Sequence, residues 1–217
     1  MKELNKNINK NYSIPDGVEL KESPLHGLGF FATKFIPKNS KIGIGHYYTF
    51  NSDYKYIRLP FVAFVNYDTN PNSKLDIEKK VINGKTSTYT MFITKKDINE
   101  GEELTLRYTW YDPTKPDTED NRHYLPLPNN VSIKNNNGEY QLYAKEDIDS
   151  DFVFGPSFHF YRPSNLYEPN PIGGYIVEST SPNCVLYKVG NDLHLKTIKK
   201  IKKDDLITVD YEKILFI

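Results

Sequence analysis

Three short stretches hold residues able to handle a small polar ligand. Gly27-Leu28-Gly29 sets two glycines two apart where a loop enters an apolar run, and a glycine backbone can approach a ligand with no Cβ in the way. Asn66 ends the apolar run Phe61-Val62-Ala63-Phe64-Val65, and its carboxamide offers both a donor and an acceptor. Tyr108 closes Glu103-Leu104-Thr105-Leu106-Arg107 behind the turn Asn99-Glu100-Gly101, which puts a phenol at a strand end. Each has a plainer reading by itself: Gly-x-Gly as a turn, Asn66 and Asn72 as turn caps, Tyr108 as a core aromatic with a satisfied hydroxyl. The glycine pair is not a dinucleotide fingerprint, because no third glycine and no helix follow it.

The elements that must position these residues are short strands. Apolar or alternating runs bounded by Gly, Pro, Asn and Asp recur at Val18-Leu20, Gly29-Ala32, Lys41-Ile44, Phe61-Val65, Tyr89-Thr94 and Glu103-Tyr108, and such runs read as strands. With 17 Tyr and 12 Phe against 2 Met, the composition points to a mostly β chain. The Pro- and Asp-rich stretch from Asp112 onward reads as a linker. The division expected is a flexible tail at 1-12, a first domain at 13-111, a linker at 112-129 and a second domain at 130-217.

Composition also excludes several classes of function. At 217 residues the chain can bury about 70% of its unfolded surface without disulfides. One cysteine, Cys184, rules out an internal disulfide or a multi-cysteine zinc site and points to a reducing compartment. The histidines at 26, 46, 123, 159 and 194 lack metal-ligand spacing, so no metal is expected. Lys+Arg 28 against Asp+Glu 28 leaves no electrostatic footprint for nucleic acid or an anionic membrane. No stretch is a membrane span or a secretion signal, and a soluble protein of the cytoplasm, or of a host cell interior or nucleus if viral, is expected.

The half after the linker resembles the half before it. Val18, Leu20 and Lys21 match Val131, Ile133 and Lys134 at a separation of 113, while Phe31, Ala32 and Ile36 match Tyr143, Ala144 and Ile148 at 112. Phe64, Pro71 and Asn72 match Tyr175, Pro182 and Asn183 at 111, and Ile98, Leu104, Thr105, Leu106 and Tyr108 match Ile201, Ile207, Thr208, Val209 and Tyr211 at 103. Four blocks in one order predict a tandem duplication. Two tethered copies can pack as an intramolecular pseudo-dimer, and a monomer is expected.

Taken together, Gly27-Leu28-Gly29, Asn66-Tyr67-Asp68-Thr69-Asn70-Pro71-Asn72 and Gly101-Glu102-Glu103-Leu104-Thr105-Leu106-Arg107-Tyr108 resemble the ordered motifs of SET-domain protein lysine methyltransferases. The small viral SET proteins are the most similar. The resemblance covers residues 18 to about 111 and implies a SET-type β-clip fold of short curled strands. It departs at Tyr67-Asp68, where the family has His-Ser, and in lacking the family's cysteine-rich zinc segments.

The resemblance further implies S-adenosylmethionine as methyl donor and a lysine amine of a protein, such as a histone-like substrate, as acceptor. Tyr108 takes the place of the family's catalytic tyrosine. His26, Leu28, Gly29, Asn66, Tyr67, Tyr108 and Trp110 are the implied cofactor contacts, with Tyr67 acting through its backbone and Trp110 or Tyr111 stacking on adenine. Trp110 can equally be a clamp between the two copies. Tyr47 and Tyr48 either line a lysine channel or belong to the core. In the second copy Asn135-Asn136-Asn137-Gly138-Glu139 stands in place of the glycine pair and Val177 in place of Asn66, so only the first copy is expected to work. The alternative is a non-catalytic SET-like or β-clip module that binds a protein partner.

Overall fold

The computed structural model describes residues 7–10, 12–49, 55–108 and 126–216. They fall into two units, Ser13–Pro126 and Met1–Tyr12 with Leu127–Ile217. Most of the expected linker, 112–125, lies outside the described residues, as do Trp110 and Tyr111.

In the first unit β1 (Val18–Glu22) buries Val18 and Leu20 and pairs antiparallel with β2 (Leu28–Ala32), Leu20 opposite Phe30. Next come β3 (Lys41–Tyr48), β4 (Tyr56–Arg58), the single-turn helix α1 (Pro60–Ala63), β5 (Asn66–Tyr67), β6 (Ser73–Ile82), β7 (Lys85–Thr94) and β8 (Thr105–Leu106). One sheet runs β4-β3-β7-β6, and β5 pairs parallel with β8. The β6–β7 hairpin turns on Asn83 and Gly84 with φ of 49° and 72°, the backbone that an Asn-Gly pair adopts most readily. Phe61 joins the core between Phe30 and Phe92, ring centres 4.9 and 5.0 Å away.

The run Phe61–Val65, expected as a strand, is a correction: its start is α1. Pro60 lies in the first turn, where its missing N–H costs nothing and its φ is already helical. All five residues of the run are buried, so no polar position marks a period of two or of 3.6. The expected strand Glu103–Tyr108 is likewise reduced to Thr105–Leu106, with Glu103 making an isolated bridge to Phe31.

The second unit contains β9 (Val131–Asn136), β10 (Glu139–Ala144), β11 (Val153–Tyr161), β12 (Leu166–Pro169), a 3-10 turn (Gly173–Tyr175), β13 (Val177–Glu178), β14 (Cys184–Val189), β15 (Asp192–Thr197), β16 (Thr208–Val209) and β17 (Leu215–Phe216). Its pairings come in the order seen in the first: a hairpin β9–β10, a sheet β12-β11-β15-β14-β17, and a parallel pair β13–β16. Backbone bonds recur too. Leu104 N–H donates to Phe30 O and Ile207 N–H to Leu142 O, both at 2.8 Å.

Residues 7–10 were expected within a flexible tail. They lie instead along β12, where Ile8 bridges Tyr167 in the parallel sense and is buried. An apolar side chain two before Lys10 supplies the burial that orders this segment.

Candidate functional site

Asn72 builds the frame of the site. Its Nδ2 donates to Glu103 O at 2.7 Å and its Oδ1 accepts from Thr105 N–H at 2.9 Å, from Ser73 Oγ at 3.0 Å and from Thr105 Oγ at 3.4 Å. One carboxamide therefore satisfies two backbone groups at the start of β8, fixing the strand whose two parallel rungs with β5 could not hold it alone. That pairing sets Asn66 opposite Thr105 and Tyr67 opposite Leu106.

Asn66, buried to 8% exposure, points the other way. Its Nδ2 faces Glu103 Oε1 at 2.7 Å, His26 O at 3.0 Å and Leu28 O at 3.2 Å. Two N–H bonds aimed at three acceptors fix the carboxamide in one orientation. The Glu103 carboxylate also accepts from Ser23 Oγ, 2.8 Å from each oxygen, and Ser23 N–H donates to Gly27 O at 2.8 Å, closing the Ser23–Gly27 loop. Glu103 thus joins the loop, the glycine pair and Asn66. Gly29 sits against this pair, and a Cβ there would meet Glu103 Cδ at 2.9 Å and Asn66 Nδ2 at 3.0 Å. A side chain fits at this point only if the Glu103 and Asn66 side chains move apart.

Tyr108 donates its hydroxyl to Val65 O at 2.8 Å, the carbonyl just before Asn66, and packs edge-on to Tyr67 with ring centres 5.6 Å apart. The structure therefore brings Leu28, Gly29, Asn66, Tyr67 and Tyr108 to one place, with His26 present through its carbonyl; the His26 side chain is exposed. Tyr47 and Tyr48 both lie on β3, opposite Ile57 and Tyr56 of β4. As neighbours in one strand they face opposite sides, so at most one lines any given channel. Burial pushes the Tyr48 hydroxyl pKa up.

Glu103 and Ser23 are site residues that the motif reading did not single out. Glu102 and Glu103 are chemically alike in sequence, and only strand direction separates the exposed Glu102, which caps the Asn99 turn, from the inward Glu103. Alternation behind Gly101 was the available signal.

The second unit keeps the frame. Asn183 Nδ2 donates to Leu206 O at 2.6 Å, Asn183 Oδ1 accepts from Thr208 N–H at 2.8 Å, and Tyr211 donates to Ile176 O at 3.4 Å. Val177, however, stands opposite Thr208 as Asn66 stands opposite Thr105. Strand register also revises the glycine comparison: Gln141 pairs with Lys134 as Gly29 pairs with Lys21. A residue with a side chain thus stands at the register position of Gly29, its amide bonded within the hairpin to Asn136, Glu139 and Tyr143, and a tight turn at Asn137 and Gly138, φ 53° and 93°, stands where the first unit has the Ser23–Gly27 loop.

Among solved structures, a Plasmodium falciparum protein assigned as a histone methyltransferase is 20% identical, covering 44% of this chain and 97% of its own, with a TM-score of 0.38. A humanized mutant of the Chaetomium thermophilum Polycomb Repressive Complex 2 bound to the inhibitor GSK126 is 22% identical over 42% of this chain and 14% of its own, with a TM-score of 0.33. No curated protein matches the chain. Residues 44–109, from within β3 to just past Tyr108, match the SET domain family.

Proposed function

We propose that the first unit transfers a methyl group from S-adenosylmethionine to the side-chain amine of a lysine in a protein. The observation that carries this reading is the joint placement of the Gly29–Asn66–Glu103 cradle and the Tyr108 hydroxyl, linked through Val65 and Asn66. The donor suits these residues: a glycine backbone is held tightly against a carboxylate-oriented carboxamide, and polar acceptors at His26 O and Leu28 O lie beside it. When bound, S-adenosylmethionine supplies a methyl group on a sulfonium sulfur that an amine can displace.

The chain's own part is to position and to desolvate. Asn66 and the backbone of Leu28 and Gly29 hold the amino-acid end of the donor, and the Tyr67 backbone its adenine side. The Tyr108 hydroxyl orients the incoming amine. A lysine ammonium, with a pKa of about 10.4 in water, has no lone pair, and removal from water beside the positively charged sulfonium disfavours its charged form. Proximity and water exclusion then do the rest.

Calorimetry tests the reading. S-adenosylmethionine should bind the wild-type chain at micromolar concentration and lose that heat in Asn66→Ala, and labelled methyl should enter a protein band in a proteome extract. No heat with folded protein overturns it in favour of a non-catalytic binding module.

A further inference from the structure

In the second unit a lysine of the chain itself already lies on the retained tyrosine. Lys10 Nζ sits 4.8 Å from the centre of the Tyr211 ring and 3.0 Å from Glu178 Oε1, and Glu178 occupies the strand position that Tyr67 has in the first unit. The residues before it are gripped as well. Asn9 N–H donates to Tyr167 O at 3.0 Å, Asn9 Nδ2 donates to the buried Glu168 Oε2 at 2.8 Å, and Ile8 is buried to 6% exposure beside β12. Three consecutive residues are thus held by three kinds of contact: backbone pairing along a strand, burial of an apolar side chain, and an ammonium between a carboxylate and an aromatic face. Those are the means by which proteins bind extended peptides and cationic side chains.

We propose that the second unit is a binding site for an extended segment of the form apolar–X–lysine, filled here by Ile8-Asn9-Lys10 of its own chain. Glu178 decides that the site binds: its carboxylate pairs with the lysine amine at 3.0 Å, where the first unit has the uncharged side chain of Tyr67. Val177 stands where the carboxamide was and Gln141 where the glycine was, so the site takes a lysine without a donor beside it. As part of the same chain, the segment is present at an effective concentration of roughly millimolar, and a free peptide competes only when that segment is weakened.

A labelled peptide of sequence Lys-Asn-Ile-Asn-Lys-Asn-Tyr, matching residues 6–12, tests the site on the full-length chain. Lys10→Glu sets like charges at Glu178 and should bind the peptide at least fivefold more tightly than wild type, with faster hydrogen exchange at the Asn9 amide. Adding Glu178→Lys reverses both charges; it should restore Asn9 protection and expel the peptide. A Lys10→Glu chain whose Asn9 amide stays as protected as in wild type and that gains no affinity overturns the proposal, as does unchanged peptide capture in the double variant. None of these readouts uses a methyl donor, so they fail or succeed independently of the function proposed for the first unit.

Discussion

In the first unit the parallel pair β5–β8 carries Asn66 beside Glu103; in the second, β13–β16 carries Val177, and Leu206 takes the Glu103 place as acceptor of the framing asparagine. The two changes belong together. A carboxamide facing leucine would lose the carboxylate among its three acceptors, and a carboxylate facing valine would keep only Ser23 as donor, so each single change weakens the network. Asn72 and Asn183, by contrast, make the same bonds in both units because the backbone of the crossing needs them whatever the chemistry. Frame and candidate site therefore rest on different side chains, and the two units share the first while differing in the second.

The strongest way to break this contrast is at the tyrosines. Tyr108→Phe should lower methyl transfer by roughly 10²–10³-fold, the usual loss for one preorganised donor in a reaction site. Tyr211→Phe should leave the rate intact and cost only about 1 kcal/mol of stability from its bond to Ile176 O. Transfer assays and thermal unfolding on both variants decide it, and the reverse pattern would move the live site to the second unit.

A smaller effect is expected at Gly29→Ala, which gives the first unit a side chain where the second has Gln141. The added Cβ must push Glu103 and Asn66 apart, at a cost of about 1–3 kcal/mol, and donor affinity should fall more than stability does. Calorimetry beside a denaturant titration separates the two; equal losses would make the cradle merely structural.

Just below pH 6.5 a smaller effect is expected on acid stability. His46 lies buried in β3 with Nδ1 3.0 Å from Thr90 Oγ, and burial, with Arg58 adding, pulls its pKa from 6.5 down to about 3. The unfolded chain takes up this proton below pH 6.5 and the folded chain does not until about 3. Stability from His46 is therefore complete above 6.5 and is lost as pH falls through this window, by up to ~1.4 kcal/mol per pH unit. Phe158 occupies the corresponding place, paired with Pro169 and Leu193 as His46 pairs with Arg58 and Thr90, and confers no such slope. His46→Gln should flatten the pH dependence of first-unit unfolding, measured by hydrogen exchange.

Much of the framework can be read from local sequence. Asn-Gly at 83–84 and 137–138 dictates tight hairpin turns because asparagine and glycine tolerate positive φ, although the long β6 ahead of the first turn carries no clear strand pattern. Its exposed Ile77 and Val81 blur the alternation that marks a half-buried strand. Conversely Phe61–Val65, with no exposed position, carried too little pattern to distinguish strand from helix.

The residues themselves determined the order of turns and strands, the presence of a Gly-x-Gly, an Asn and a Tyr in sequence, and a valine, not an asparagine, at position 177. All of these depend on a residue's type and its near neighbours. Only the tertiary structure decided that Asn72 frames while Asn66 presents, that Glu103 rather than Glu102 turns inward, that Gln141 takes the register position of Gly29, and that Lys10 lies on Tyr211. Each of those depends on register and side-chain direction between segments far apart in the chain, which no local pattern encodes.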